Sequence, residues 1–83
     1  MVECAGKELR LLGNGVLEVD FTDGEKRRYD MKELIPKIPC MKRLIKEEGL
    51  FQKGALSPAG WAIEWDDEVD IAIEEIYVNG VVI

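Results

Sequence analysis

The sequence predicts an α+β domain in which a mostly antiparallel sheet, in the order β-β-β-α-β-β-α, carries its helices on one face. Short segments alternate apolar and polar residues, and glycine-containing turns separate these segments. Only two longer stretches place apolar residues at helical spacing. The 83 residues are enough for one domain, which we place over residues 1–83.

Three strands are predicted at the start of the chain. Residues 7–12 form the first, and the Gly-Asn-Gly sequence at residues 13–15 favours a hairpin turn because Asn and Gly tolerate positive φ. Residues 16–21 alternate cleanly and predict a strand with one buried face. A second turn at residues 22–25 leads to a third strand over residues 26–29, so the opening is an antiparallel meander.

A helical region is predicted next. Asp30 is expected to cap a short helical turn by accepting the backbone N–H of Glu33. Pro39 suits the first position of a longer helix, and Gly49 is expected to end that helix. Its narrow apolar stripe consists of Met41, Leu44 and Ile45.

A second hairpin is predicted from residues 50–56 and 61–65, on either side of a turn at residues 57–60. Trp61 and Trp65 are two residues apart and are expected to share a sheet face, with at least one of them buried. Two exposed tryptophans would instead mark a partner-binding hot spot.

The last predicted helix contains Ile73, Ile76 and Tyr77, and Asp70 is a candidate for its cap. An apolar tail follows, formed by Val81, Val82 and Ile83. We expect this tail to add an edge strand or to pack on a partner, and self-association through it as a homo-oligomer is a further prediction.

Composition narrows the chemistry. The net charge of -6 and the lack of a long apolar run argue against a spanning helix, a cleavable signal segment and general DNA affinity, so a cytoplasmic location is expected. The absence of histidine removes the commonest general base and metal ligand, and no cofactor or metal site is expected. Cys4 and Cys40 are taken as reduced, buried structural thiols.

Charge is segregated along the chain. Residues 26–46 contain eight basic and two acidic residues, whereas residues 64–75 contain seven acidic residues and no basic one. The basic segment is either a surface for an anionic partner or a solvated face. Its candidate partner-binding residues are Arg27, Arg28, Lys42, Arg43 and Lys46. The acidic segment is interpreted as a solvated turn in preference to a cation site; its densest members are Glu64, Asp66, Asp67, Glu68 and Asp70.

Several short motifs, taken in order, resemble the DUF2442 family of small bacterial domains over roughly residues 8–79. The motifs are the F-T-D-G strand end within residues 19–25, the aspartate-led turn within residues 29–34, Leu50-Phe51, the Trp strand within residues 60–65, Asp70-Ile71 and Glu75-Ile76-Tyr77. The resemblance brings no catalytic residues. It implies a domain found alone or fused to a helix-turn-helix, and often encoded beside another small domain in an arrangement like a toxin–antitoxin pair. No helix-turn-helix pattern follows Tyr77, which argues against direct DNA reading here.

Three functional hypotheses follow. The first is a small non-enzymatic protein-interaction or regulatory module, an antitoxin-like partner of another small protein. The second is a nucleic-acid-associated accessory domain that uses the basic segment 26–46. The third, a carboxylate-dependent enzyme, needs a cleft that a domain of this size rarely encloses.

Overall fold

The computed structural model describes residues 4–83 and confirms the α+β class. Residues 1–3, which the predicted domain includes, lie outside the described residues. Seven strands and two α-helices are present in the described chain: β1 (Gly6–Leu11), β2 (Val16–Phe21), β3 (Lys26–Asp30), α1 (Arg43–Lys46), β4 (Ala55–Leu56), β5 (Ala62–Glu64), β6 (Asp70–Ala72), α2 (Ile73–Asn79) and β7 (Val81–Val82). Three 3₁₀ turns join them: Met31–Glu33, Pro39–Lys42 and Phe51–Lys53.

The strands form two antiparallel sheets where the sequence predicts one. The first sheet has the order β1-β2-β3-β7 and the second has the order β4-β5-β6. A backbone hydrogen bond of 2.7 Å from the N–H of Gly6 to the carbonyl of Gly60 joins β1 to the turn before β5. The additional strand β7 confirms the edge-strand alternative for the apolar tail, because it pairs with β3.

The predicted meander is confirmed, and its hairpin turn has the geometry that its sequence requires. Asn14 has φ of 61° and Gly15 has φ of 77°, the left-handed values that let a two-residue turn follow the twist of its strands. Leu17, Val19 and Phe21 of β2 point into the core, with at most 1% of each exposed. The alternation of apolar and polar residues in the sequence therefore predicts the buried face of β2 correctly.

The predicted central helix is divided in two. Pro39 begins a 3₁₀ turn, as its fixed φ favours, and α1 continues from it for one turn. The helical segment ends at Lys46, because Glu47 is extended, so the prediction that Gly49 ends it is wrong; Gly49 adopts φ of 83° in the turn that follows. The Asp30 side chain caps the preceding turn, but it accepts from the N–H of Lys32 rather than that of Glu33, because the turn is a tight 3₁₀ one.

The prediction for residues 50–56 is wrong in its first half. Phe51 begins a 3₁₀ turn, and only Ala55 and Leu56 are extended. Trp65 is buried, as expected for at least one tryptophan, whereas Trp61 is 51% exposed. The prediction that the two tryptophans share a sheet face is wrong. Trp61 precedes β5 and lies in a turn in which its backbone N–H donates to the Ser57 hydroxyl.

The prediction that Asp70 caps the last helix is also wrong. Asp70 lies in β6 opposite Glu64, and α2 begins after Ala72 without a side-chain cap. The expected burial of both thiols fails as well. Cys4 is half-buried, but Cys40 is exposed, because Met41 is the buried member of its 3₁₀ turn.

The core lies between the two sheets and α2. Ile76 of α2 is fully buried, and Tyr77 meets the ring of Phe21 edge-on with centroids 4.9 Å apart. Ile63 of β5 and Val69 before β6 are fully buried from the second sheet. Gly80 ends α2 where an added Cβ would lie 2.4 Å from the Ile76 carbonyl oxygen and 3.0 Å from Arg27 Cβ, and the chain continues from there into β7.

Candidate functional site

The basic residues predicted on β3 lie on opposite faces of the first sheet. Arg28 is on the solvent side with 53% of its side chain exposed, and it binds the Glu18 carboxylate at 2.8 Å. Arg27 is on the core side with 15% exposed, over the Tyr77 ring at 4.9 Å and 3.0 Å from Glu25. Adjacent strand residues alternate between faces, so these two cations do not form one patch.

Arg43 connects the basic and acidic segments of the chain. Its guanidinium binds Glu47 one turn along and Asp66 at 2.7 Å, with Glu68 at 3.7 Å. The N–H groups of Glu68 and Val69, with Arg43, hold the pKa of Asp66 below its ordinary value. The charge segregation of the sequence is therefore partly neutralised inside the fold.

Lys42 and Lys46 are the remaining candidates, and both are exposed. Across residues 4–83 neither makes an ion pair with a carboxylate, in contrast to the three arginines. They lie four residues apart on the helical segment and so neighbour each other on its surface. Of the five predicted residues, these two keep their charge available to a partner.

The solvent face of the first sheet is a compact charge network. Arg10 spans Glu18 at 3.3 Å and Asp20 at 2.8 Å, and Arg28 binds the other oxygen of Glu18. Arg28 and then Arg10 lower the pKa of Glu18, and Arg10 lowers that of Asp20. Opposite charges on neighbouring strands satisfy one another here, which leaves little net charge for a partner.

Acid should destabilise the fold through this network. The folded-state pKa values of Glu18 and Asp20 lie below their ordinary values of 4.5 and 3.8, so their stabilising effect is present above those values and is lost as the pH falls through the folded ones. The urea midpoint should therefore fall steeply between about pH 5 and about pH 2.

The double change Glu18→Gln and Asp20→Asn should flatten this dependence. Glu74→Gln is the matched control, since Glu74 is exposed and makes no ion pair in the described part of the chain. A urea midpoint that stays constant or rises on acidification would contradict the prediction.

An apolar groove of about 420 Å³ lies between the helical segment and the first hairpin turn, outside that network. Its floor consists of Met31, Ile35, Leu44 and Phe51, each at most 8% exposed. Ile45 forms an open wall with 65% of its surface exposed. Its polar rim is formed by Asn14, Lys32 and Gln52. Residues from four separate parts of the chain thus make one concave surface, which we call the apolar groove.

Trp65 holds the floor of the apolar groove from behind. Its ring stacks on Phe51 with centroids 6.0 Å apart, and its indole N–H donates to the Phe51 carbonyl at 2.9 Å. The Trp65 ring occupies the space beside Gly54, where a Cβ would lie 2.6 Å from the indole nitrogen. The position of Phe51 is therefore fixed before any partner arrives.

Lys32 joins the rim to the hairpin turn. Its ammonium donates to the Asn14 carbonyl at 2.8 Å and lies 3.6 Å from an Asp30 carboxylate oxygen. Ile45 follows Lys42 by three residues, so Lys42 neighbours the open wall on the helix surface. Asp30 balances the charge of Lys32 on the rim, so Lys42 supplies the cation near the apolar groove that makes no ion pair within residues 4–83.

Sequence patterns do not predict the apolar groove. Ile45 is expected in the buried stripe of a longer helix, yet it is mostly exposed, because the helical segment is too short to cover that face. The prolines at positions 36 and 39 are the available signal, since they break the region into short turns. They do not reveal which distant residues complete the floor.

The acidic segment gives no sign of a metal site. Within residues 4–83 no three His, Cys, Asp or Glu side chains are placed to hold an ion. Asp66 instead accepts the N–H groups of Glu68 and Val69, both at 2.9 Å, and closes the turn before β6. This arrangement agrees with the prediction of a solvated turn.

Fold and site together define a small α+β domain with two short antiparallel sheets and one open apolar groove. The family model described as "Protein of unknown function (DUF2442)" matches residues 7–81, and the chain belongs to this family. No curated protein and no solved structure matches the chain. In the part that the structure describes, no helix has the length and apolar character needed to cross a membrane.

Proposed function

We propose that this domain is a non-catalytic protein-interaction module that binds an apolar side chain of an acidic partner segment in the apolar groove. The observation that carries the proposal is an open groove of about 420 Å³ with an apolar floor, formed in part by the helical segment that carries Lys42 and Lys46, which make no ion pair within residues 4–83. Concave apolar sites with a few polar groups at the rim are the usual form of a binding pocket.

The floor of the apolar groove favours binding because it needs little rearrangement. Met31 is fully buried, and Leu44 and Phe51 are nearly so, which means that their positions are set by the core. A partner side chain entering the groove would displace water from apolar surface without ordering these residues further. Ile45 would lose its exposure at the same time.

Charge indicates the chemistry of the partner. Lys32 on the rim is already paired with Asp30 at 3.6 Å, whereas Lys42 and Lys46 are exposed cations on the helical segment. A partner segment carrying Asp or Glu beside its apolar side chain would complement these cations and associate faster. A cationic segment would be repelled.

The family resemblance suggests the source of this partner. Members are often encoded beside another small domain, in an arrangement like a toxin–antitoxin pair. We therefore propose that the partner is the small protein encoded next to this one, and that the module acts on it as a regulatory, antitoxin-like subunit.

The experiment is co-expression of the two proteins, followed by titration calorimetry of the purified pair. Ile45→Lys places a charge on the open wall and should weaken the complex roughly tenfold or more. The double change Lys42→Glu and Lys46→Glu should reduce affinity and abolish its salt dependence. Val81→Lys is the matched control, because Val81 is similarly exposed (67%) but lies on β7.

Two outcomes would contradict the proposal. One is the absence of a complex on co-expression. The other is a complex whose affinity responds to Val81→Lys and not to Ile45→Lys, which would place the partner at the edge of the first sheet instead.

The nucleic-acid alternative has less support in the structure. It needs a continuous cationic surface, whereas Arg28 and Arg43 bind carboxylates and Arg27 is largely covered. The nucleic-acid role therefore stays a prediction that is based on the sequence alone.

A further inference from the structure

The open edge of the first sheet is a second surface, separate from the apolar groove. β7 is the last strand of the order β1-β2-β3-β7, and it pairs antiparallel with β3 only. An edge strand presents unpaired backbone groups that can template another strand. The side chains here are apolar and exposed: Val78 60%, Val81 67%, Val82 59% and Ile83 47%.

The hydrogen bonds between β7 and β3 determine which residue of β7 has its backbone N–H and C=O groups at the open edge of the sheet. The N–H of Ile83 donates to the carbonyl of Lys26 at 3.2 Å, so the polar groups of Ile83 point toward β3. Backbone groups alternate along a strand, and Val82, opposite Arg27, therefore directs its N–H and C=O toward the open edge.

The opposite edge of the same sheet, formed by β1, is protected against pairing with another strand, whereas the β7 edge is not. β1 carries Lys7 and Glu8, has an irregular register between Gly6 and Glu8, and is covered at Gly6 by the carbonyl of Gly60. Charged residues, bulges and covering loops are the usual ways to prevent edge pairing. The side chains of Val81, Val82 and Ile83 carry no charge, and none of the three residues is proline.

We propose that β7 pairs with β7 of a second copy of this chain about a two-fold axis through Val82. In antiparallel register Val82 faces its own equivalent and Val81 faces Ile83, so every cross-strand pair is β-branched and apolar. The two Val82 residues exchange both of their free backbone hydrogen bonds. Each sheet then continues into the other.

The second copy fits this edge because the strand is complementary to itself. The basic residues next to β7 are on β3, where Lys26 lies opposite Ile83 and Arg28 lies opposite Val81. In the two-fold arrangement these cations lie at the outer margins, separated by both β7 strands, and Arg28 stays directed at Glu18 of β2. No charge faces a like charge across the axis. This inference does not depend on the proposed function of the apolar groove.

The test is the solution mass of the full chain by sedimentation equilibrium as its concentration rises to about 1 mM, a range that captures weak association. The mass should rise from 9.4 kDa toward twice that value. Val82→Pro removes the outward N–H but spares the bonds to β3, and it should weaken association roughly tenfold or more. Val81→Lys should do the same by placing a charge beside Ile83 of the other copy.

Ile45→Lys is the matched control, since Ile45 is 65% exposed and lies in the apolar groove, and it should leave the mass unchanged. Circular dichroism at low concentration checks that each variant is folded. The inference is overturned if the wild-type chain stays at 9.4 kDa throughout, or if both β7 variants associate as strongly as wild type. If Ile45→Lys loses the complex with the small partner protein but still forms the dimer, the two results support the two proposals separately.

Discussion

Replacing Trp65 with alanine is expected to lower the free energy of unfolding by about 3–5 kcal/mol, the range for removing a large buried aromatic side chain. Trp65 is 6% exposed and stacks on Phe51. The change would leave a cavity behind the floor of the apolar groove and would free the Phe51 carbonyl from the indole N–H that it accepts at 2.9 Å. A domain of this size has only roughly 4–12 kcal/mol in total, so much of its stability would be lost.

Urea unfolding measures this effect, and Trp61→Ala is the matched control. Trp61 is the same residue type but is 51% exposed, so its replacement should change the free energy of unfolding by less than about 1 kcal/mol. Trp65→Phe should fall between the two, because it keeps a ring and loses the hydrogen bond. Equal effects of the two alanine variants would show that Trp65 does not anchor the core.

Replacing Gly60 with alanine is expected to cost roughly 2–4 kcal/mol, the sum of a strained backbone and a steric clash. Gly60 has φ of 79°, and a Cβ there would lie 2.4 Å from the Gly6 carbonyl oxygen. The backbone cannot simply retreat, because the Gly60 carbonyl accepts the Gly6 N–H at 2.7 Å. This contact joins the first sheet to the turn that leads into the second.

Gly24→Ala separates the two contributions. Gly24 has φ of 92° but nothing within 4 Å of an added Cβ, so only the backbone strain of about 1 kcal/mol applies. Both variants are compared by urea unfolding at neutral pH. If the two variants lose equal free energy of unfolding, the steric clash at Gly60 adds nothing to the backbone strain.

The local part of the fold is predictable from the sequence. The meander follows from alternation in residues 16–21 and from the Asn14-Gly15 turn, because side-chain direction and φ preference act over a few residues. The burial of Leu17, Val19 and Phe21 follows from the same alternation. The α+β class needs little more than these signals.

The arrangement of the sheets is not predictable in this way. Residues 50–56 have the composition of a strand, but burial of Phe51 against Trp65 favours a 3₁₀ turn there. The packing of the two sheets against each other includes the contact of Gly6 with Gly60, which no local pattern reports. Tertiary contacts override propensity at both places.

The candidate site is predictable only in part. Basic residues near 42–46 are visible in the sequence, and they lie on the helical segment whose Leu44 and Ile45 line the apolar groove. The pairing of Arg43 with Asp66 is a long-range contact, so the sequence does not distinguish Arg43 from Lys42 or Lys46 as a free cation. The groove itself requires Met31, Leu44 and Phe51 to meet, which only the folded chain determines.

The most direct test of the groove as a binding site is the change in backbone amide NMR shifts when the small protein encoded next to this one is added. Binding in the apolar groove predicts the largest shifts at Met31, Ile35 and Ile45, with Glu18 on the charged sheet face unaffected. Shifts confined to Glu18 or to β7, or no shifts at equimolar partner, would contradict it.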